Sequence, residues 1–143
     1  FKKSVIIHRA GDEAGCTRPD GRRVVRVGNV LLLAYRVAWA IHYGEWPKGE
    51  IDHINGDRSD DRISNLRDVP RRTNQENIRS PKASKQSSSY LGVYRNKRSR
   101  NKPWRAAITV NGRQIYLGAF DSECEASRAY VAAKRRLHDG CTI

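Results

Sequence analysis

Two alternating runs joined by Asn111-Gly112 constrain this chain more than any other feature. In WRAAITV, Trp104, Ala106, Ile108 and Val110 alternate with Arg105, Ala107 and Thr109, and after the turn Ile115 and Leu117 alternate with Gln114 and Tyr116. Period-two alternation marks a strand with one covered face, and Asn-Gly supplies the two positive φ values of a type I′ turn. A two-residue loop pairs Ile108 with Ile115 and Ala106 with Leu117 on one face, and Thr109 with Gln114 and Ala107 with Tyr116 on the other.

The next segment predicts the helix that covers the apolar face. Ala126, Ala129, Tyr130, Ala133 and Leu137 recur at helical spacing, Ser122 and Glu125 form a capping box, and Gly140 follows a basic end of Lys134, Arg135, Arg136 and His138. The opposite face, with Arg105, Thr109, Gln114 and Tyr116, is left for a partner.

This unit, with YLGVY, the WRAAITVNG hairpin, IYLGAF and the EASRAYVAA helix, resembles the AP2 DNA-binding domain over roughly residues 90–140. The resemblance implies a three-stranded antiparallel sheet packed on one helix and laid in the major groove. Two departures remove the base preference of the plant domains. Ala107 stands where they have an acidic residue and Thr109 near an expected arginine, while Tyr94 and Asn96 replace the arginines after Gly-Val.

Charge supports a polyanionic partner independently. The 143 residues carry 28 Lys+Arg against 15 Asp+Glu, a formal charge of +13, so nucleic acid leads and an acidic membrane surface follows. Lys97, Arg98, Arg100 and Lys102 are expected on phosphates, and Arg105, Gln114 and Tyr116 on bases. Tyr94, Arg95, Thr109 and Arg113 complete the DNA-binding candidates. Between Glu76 and Asp121 no acidic residue occurs but ten basic ones do. Within that stretch RSPKASKQSSS reads as a basic linker that can lie along phosphates or in a minor groove.

The chemistry-bearing residues precede the linker. Asp52 and His53 in IDHINGD, Asn65 in ISNLR and Asn74 in RRTNQEN supply what phosphodiester hydrolysis needs. These are an oxygen site for a hard divalent ion, an imidazole to take a proton from water, and an amide to hold that imidazole. Asp52 and Asn74 are the expected metal ligands. Oxygen donors favour Mg2+, with Mn2+ an acceptable substitute. His53 is the expected general base. Adjacent strand residues point to opposite faces, so at least one of Asp52 and His53 must sit where the strand gives way to the Ile54–Asp57 turn.

The segment AYRVAWAIHYGEWPKGEIDHINGDRSDDRISNLR resembles the HNH nucleases, specifically the phage-type homing endonucleases with a ββα-metal fold, over roughly residues 34–78. The resemblance implies that Asn65 accepts the second ring N–H of His53, and that water attacks in line to leave 5′-phosphate and 3′-hydroxyl ends. Pro70 and the polar run after it predict a short helix with Arg71, Asn74 and Asn77 on one face. Arg71 is then available to the scissile phosphate, and Asn77 is an auxiliary ligand or orienting residue. Asp60 and Asp61 are expected to brace their loop, and the family usually has asparagine where Asp61 stands.

Upstream, RRVVRV and VLLL around Gly28-Asn29 predict a hairpin, and RVAWAIHYG a short helix ended by Gly44. Tyr35, Val37, Trp39 and Ile41 are expected to pack, and His42 to be structural. Cys16, Cys124 and Cys141 form no C-x-x-C pair, so free thiols rather than a structural zinc are expected. The longest apolar run, Val30 to Tyr35, is too short to span a bilayer.

The expected architecture is α+β: an HNH nuclease domain over 1–78, a basic linker over 79–89 and an AP2-like DNA-binding domain over 90–143. The expected protein acts on double-stranded DNA as a monomer or weak dimer, with one active site that nicks one strand. It takes no small-molecule substrate and no membrane, and works in the cytoplasm, of a bacterial host if phage-encoded. The alternative is a non-catalytic, sequence-specific DNA-binding regulator. Starting on Phe1 rather than Met, the chain is expected to be a processed or shortened form.

Overall fold

Valine- and leucine-rich runs around Gly28-Asn29 form the expected hairpin in the computed structural model, which describes residues 14–81 and 88–143. Strand β2 (Arg23–Val27) pairs antiparallel with β3 (Val30–Leu33) in the register Val24↔Leu33 to Val27↔Val30. A two-residue strand that the sequence did not announce, β1 (Cys16–Thr17), adds to the free edge of β2.

Helix α1 (Ala34–Tyr43) follows directly and ends where expected. Gly44 adopts φ +75°, and its N–H returns to the Ala40 carbonyl, a left-handed cap that a side chain would strain. Tyr35 and Trp39, one turn apart, face the core with Ile51, Leu66, Leu33 and Ile63. Ile41, expected to pack, is 79% exposed, because it lies two residues past Trp39 and projects from another side of the helix. His42 is exposed and stacks edge-on against Tyr43.

The remaining elements of this region are β4 (Glu50–His53), a single 3-10 turn (Ile63–Asn65), β5 (Leu66–Val69) and α2 (Arg71–Glu76). Strands β4 and β5 pair as a two-stranded sheet. The entry to β4 is fixed from below: the Asp68 carboxylate accepts the N–H groups of Lys48 and Gly49, each at 2.7 Å, and Arg36 donates to the carbonyls of Pro47 and Gly49.

The C-terminal sheet is β6 (Val93–Arg95), β7 (Trp104–Val110) and β8 (Arg113–Phe120), all antiparallel. Helix α3 (Glu123–Leu137) starts on Ser122, whose side chain accepts the Glu125 N–H. Val93, Ala106 and Ala126 form the buried centre, with Trp104, Leu117, Phe120 and Tyr130 around it. The mixed α+β character, the three-stranded antiparallel sheet and its covering helix are as expected.

Two expectations change here. The register holds for Ile108↔Ile115, Thr109↔Gln114 and Ala107↔Tyr116, but a bulge between Ala106 and Ala107 sets Ala106 opposite Gly118 rather than Leu117. One extra residue in β8 therefore separates the hairpin tip from its base. Helix α3 also ends on His138 in extended conformation rather than on a left-handed glycine. Gly140 has a different use: a Cβ there would lie 2.1 Å from the Thr73 carbonyl oxygen.

By internal contacts the chain separates into two compact units, residues 1–53 with 57–68, and residues 54–56 with 69–143. The short turn after His53 and helix α2 thus group with the C-terminal sheet, whereas the sequence assigned everything up to residue 78 to the first domain. Residues 82–87, most of the expected basic linker, lie outside the described residues. At its far end Ser88 is buried and donates to Glu123, which also accepts the Ser89 N–H.

Candidate active site

Strand β4 buries three consecutive residues, Ile51, Asp52 and His53, which a strand can do only if both faces are covered. Ile51 and His53, two apart, share one face and meet Tyr35; the Tyr35 and His53 rings stand edge to face at 5.1 Å. Asp52 points to the other face, toward β5, where Arg67 donates through Nε at 2.8 Å and Nη2 at 2.7 Å to the same oxygen, Oδ2. A buried carboxylate needs such compensation. Removing one partner of a buried pair costs about 3–5 kcal/mol.

His53 is the last residue of β4, at the point where the strand passes into the turn. From the sequence, one member of the pair was expected to leave the strand for the turn; both Asp52 and His53 lie within β4, His53 as its last residue. The imidazole is buried but not left to apolar packing: Nε2 lies 3.0 Å from Asp61 Oδ1. An ionised carboxylate only accepts, so in the neutral ring the proton of this bond belongs to Nε2 and the lone pair to Nδ1.

The loop that delivers Asp61 is internally braced. Asp57 accepts both the N–H and the hydroxyl of Ser59, which hold its carboxyl below the usual range. Asp60 makes a two-point pair with Arg62, each contact at 2.7 Å. Asn65 Nδ2 donates to the Asp60 carbonyl at 2.8 Å, so this asparagine steadies the residue preceding Asp61. The sequence expected Asn65 to support the imidazole directly; the structure adds Asp61 as a partner of the ring. The available signal was a carboxylate where the resembling family has asparagine.

Asp61 Oδ2 is buried without a hydrogen-bond partner. A buried acceptor left alone costs about 1–3 kcal/mol, and such orphans mark sites that complete themselves with a ligand or water. Asp52 and Asp61 are carboxylates, the donor type a hard divalent cation takes. Among the described residues no group of three or more His, Cys, Asp or Glu is placed to hold a metal. Cys16, Cys124 and Cys141 are free.

Helix α2, in the other compact unit, carries the remaining candidates. Pro70 precedes it as the N-cap, Arg71 is exposed, Asn74 is half-buried, and Asn77 is the buried C-cap against Thr142. Glu76 is buried as well. Burial would raise its carboxyl, but the Gly140 N–H, the Arg72 guanidinium and the nearby His138 together hold it low.

On the C-terminal sheet, Thr109, Arg113, Gln114 and Tyr116 are exposed near the hairpin tip, and Tyr94 pairs across from Arg105. Arg95 lies over the Trp104 ring at 5.9 Å, a cation–π distance that anchors one end of the basic loop. Lys97, Arg98, Arg100 and Lys102 are exposed along that loop. Among the described residues no helix is long and apolar enough to cross a membrane.

No curated protein and no solved structure matches the chain. A family model does: residues 33–76, which hold Asp52, His53, Asp61, Asn65 and Asn74, match the HNH endonuclease family, and this stretch supports an HNH nuclease.

Proposed function

We propose that the protein is a metal-dependent, site-selective DNA endonuclease of the phage homing type that nicks one strand of a duplex. The observation that carries this reading is the His53–Asp61 pair at the end of β4, adjacent in sequence to Asp52, within the segment that matches HNH endonucleases.

In this reading His53 takes the proton of the attacking water at Nδ1 while Asp61 retains the proton on Nε2. Asp52 and Asn74 are the protein donors to a divalent ion, magnesium with manganese as substitute, which when bound neutralises charge on the phosphate oxygens. Asn65 steadies the loop that presents Asp61. Arg71 engages the scissile phosphate, and Asn77 holds the end of the helix that bears Asn74. One base and one ion make one site per protomer, hence a nick. The C-terminal sheet, in an AP2-like role, supplies the address: Arg105, Gln114 and Tyr116 touch bases, and the basic loop holds phosphates.

The test is supercoiled plasmid incubated with the protein and magnesium, with EDTA and His53→Ala as controls. Open-circular product that disappears in both controls is the expected result. Retained DNA binding with no nicking under any divalent metal would remove the enzyme reading and leave a DNA-binding protein.

A further inference from the structure

Helix α2 has six residues, far below the roughly 12–15 at which an isolated helix is even marginal in water. Something outside it must hold it. Its C-terminal end is gripped by Lys134 of α3, 1% exposed, whose ammonium donates to the Ile78 carbonyl. Its Glu76 carboxylate accepts the Gly140 N–H at 3.0 Å through one oxygen and Arg72 Nε at 2.9 Å through the other. The backbone at Gly140 runs so close to α2 that a Cβ would strike the Thr73 carbonyl at 2.1 Å and Glu76 Cβ at 2.9 Å. Only glycine fits.

Two residues on, Thr142 ties a second segment into the same knot. Its hydroxyl lies 2.6 Å from the Ile54 carbonyl and against the Asn77 side-chain amide. Arg79 Nη2 reaches the Ile54 carbonyl at 2.9 Å, Thr142 Oγ1 at 2.9 Å and the Thr142 carbonyl at 3.2 Å. A hydroxyl has one proton. The Ile54 carbonyl and Asn77 Oδ1 are the two acceptors within its reach, and Arg79 donates to the hydroxyl oxygen. The Arg79 side chain also closes over the turn, 2.7 Å from where a Gly56 Cβ would stand.

We infer that residues 140–142 are a clasp that positions the nuclease chemistry. They hold the turn that follows His53 and the helix that carries Asn74, the chain segments adjoining the base and one metal donor. Thr142 is a positioning residue, and the segment it belongs to hangs from α3, the helix of the C-terminal sheet. The consequence for cleavage rests on the endonuclease reading; the clasp itself does not.

The experiment compares the full chain with Thr142→Val, which keeps the shape and removes the hydroxyl, and Thr142→Ser, which restores it. Amide hydrogen exchange at 54–56 and 71–77, plasmid nicking, and DNA binding by gel shift are read on each. Thr142→Val should accelerate exchange in both segments about fivefold and slow nicking about tenfold. DNA affinity should be unchanged, and Thr142→Ser should recover both losses. Unchanged exchange in Thr142→Val overturns the clasp whatever the nicking rate. Faster exchange with full-rate nicking overturns its role in positioning. If the native chain nicks no DNA, the endonuclease reading fails separately and the exchange data still decide the clasp.

Discussion

His53 Nε2 and Asp61 Oδ1 stand 3.0 Å apart, joining the last residue of β4 to a loop eight residues further on. With an ionised Asp61 as acceptor, the bond orients the ring and favours the tautomer with its proton on Nε2. Asp61→Ala should reduce nicking about 10–100-fold, the range typical of groups that orient a site from one step back. Asp61→Asn, which retains an acceptor oxygen, should lose less. The 15N shifts of His53 provide the check: the Nε2–H form should dominate in the native chain and yield to a tautomer mixture in Asp61→Ala.

Gly92 stands at φ +65°, with an added Cβ placed 2.1 Å from the Tyr130 ring and 2.6 Å from the Ala107 carbonyl oxygen. Left-handed strain and overpacking act together there. Gly92→Ala should destabilise by roughly 2–5 kcal/mol, read as a lower urea midpoint with an unchanged slope.

Lys134 is held below its ordinary value of 10.5, chiefly by burial, with Arg79 adding to the effect and Cys141 opposing it. Because the folded state binds this proton less readily than the unfolded chain, the cost of burying the charge is present below the depressed pKa. It is relieved as pH rises through that value toward 10.5. The native urea midpoint should therefore climb over this window relative to Lys134→Met, which has no proton to lose; parallel curves for the two proteins would contradict the assignment.

Neutralising Lys97, Arg98 or Arg100 should weaken binding to all duplexes alike and lower the slope of log affinity against log salt by about 1 per contact. Fluorescence anisotropy at several salt concentrations measures both effects. A loss confined to one base pair would assign that residue to sequence reading instead.

What the sequence disclosed was mostly local. Gly28-Asn29 sits between β-rich runs and Asn111-Gly112 between alternating ones, Gly44 ends a periodic segment, and Ser122 with Glu125 forms a cap, so each element announced itself within a few residues. The four candidate site residues were singled out by identity and spacing, and all lie within the segment that matches HNH endonucleases. Other features depended on partners distant in sequence. Gly140 meets Glu76 across 64 residues, and no periodicity encodes such a contact. Asp61 was read as a brace because its role depends on how the loop closes onto His53. The bulge at Ala106 escaped because Leu117 alternates properly with its neighbours and only the partner strand shows it to be supernumerary.

That bulge sets the length of what the hairpin can read. Regular pairing toward the tip runs only from Ala107↔Tyr116 to Val110↔Arg113, and a strand advances about 3.4 Å per residue, nearly the rise of one base pair in a duplex. If the sheet enters a groove, its uninterrupted ruler covers on the order of four steps, too few to single out one locus in a genome. Specificity on that scale must be assembled from several short contacts along the same DNA.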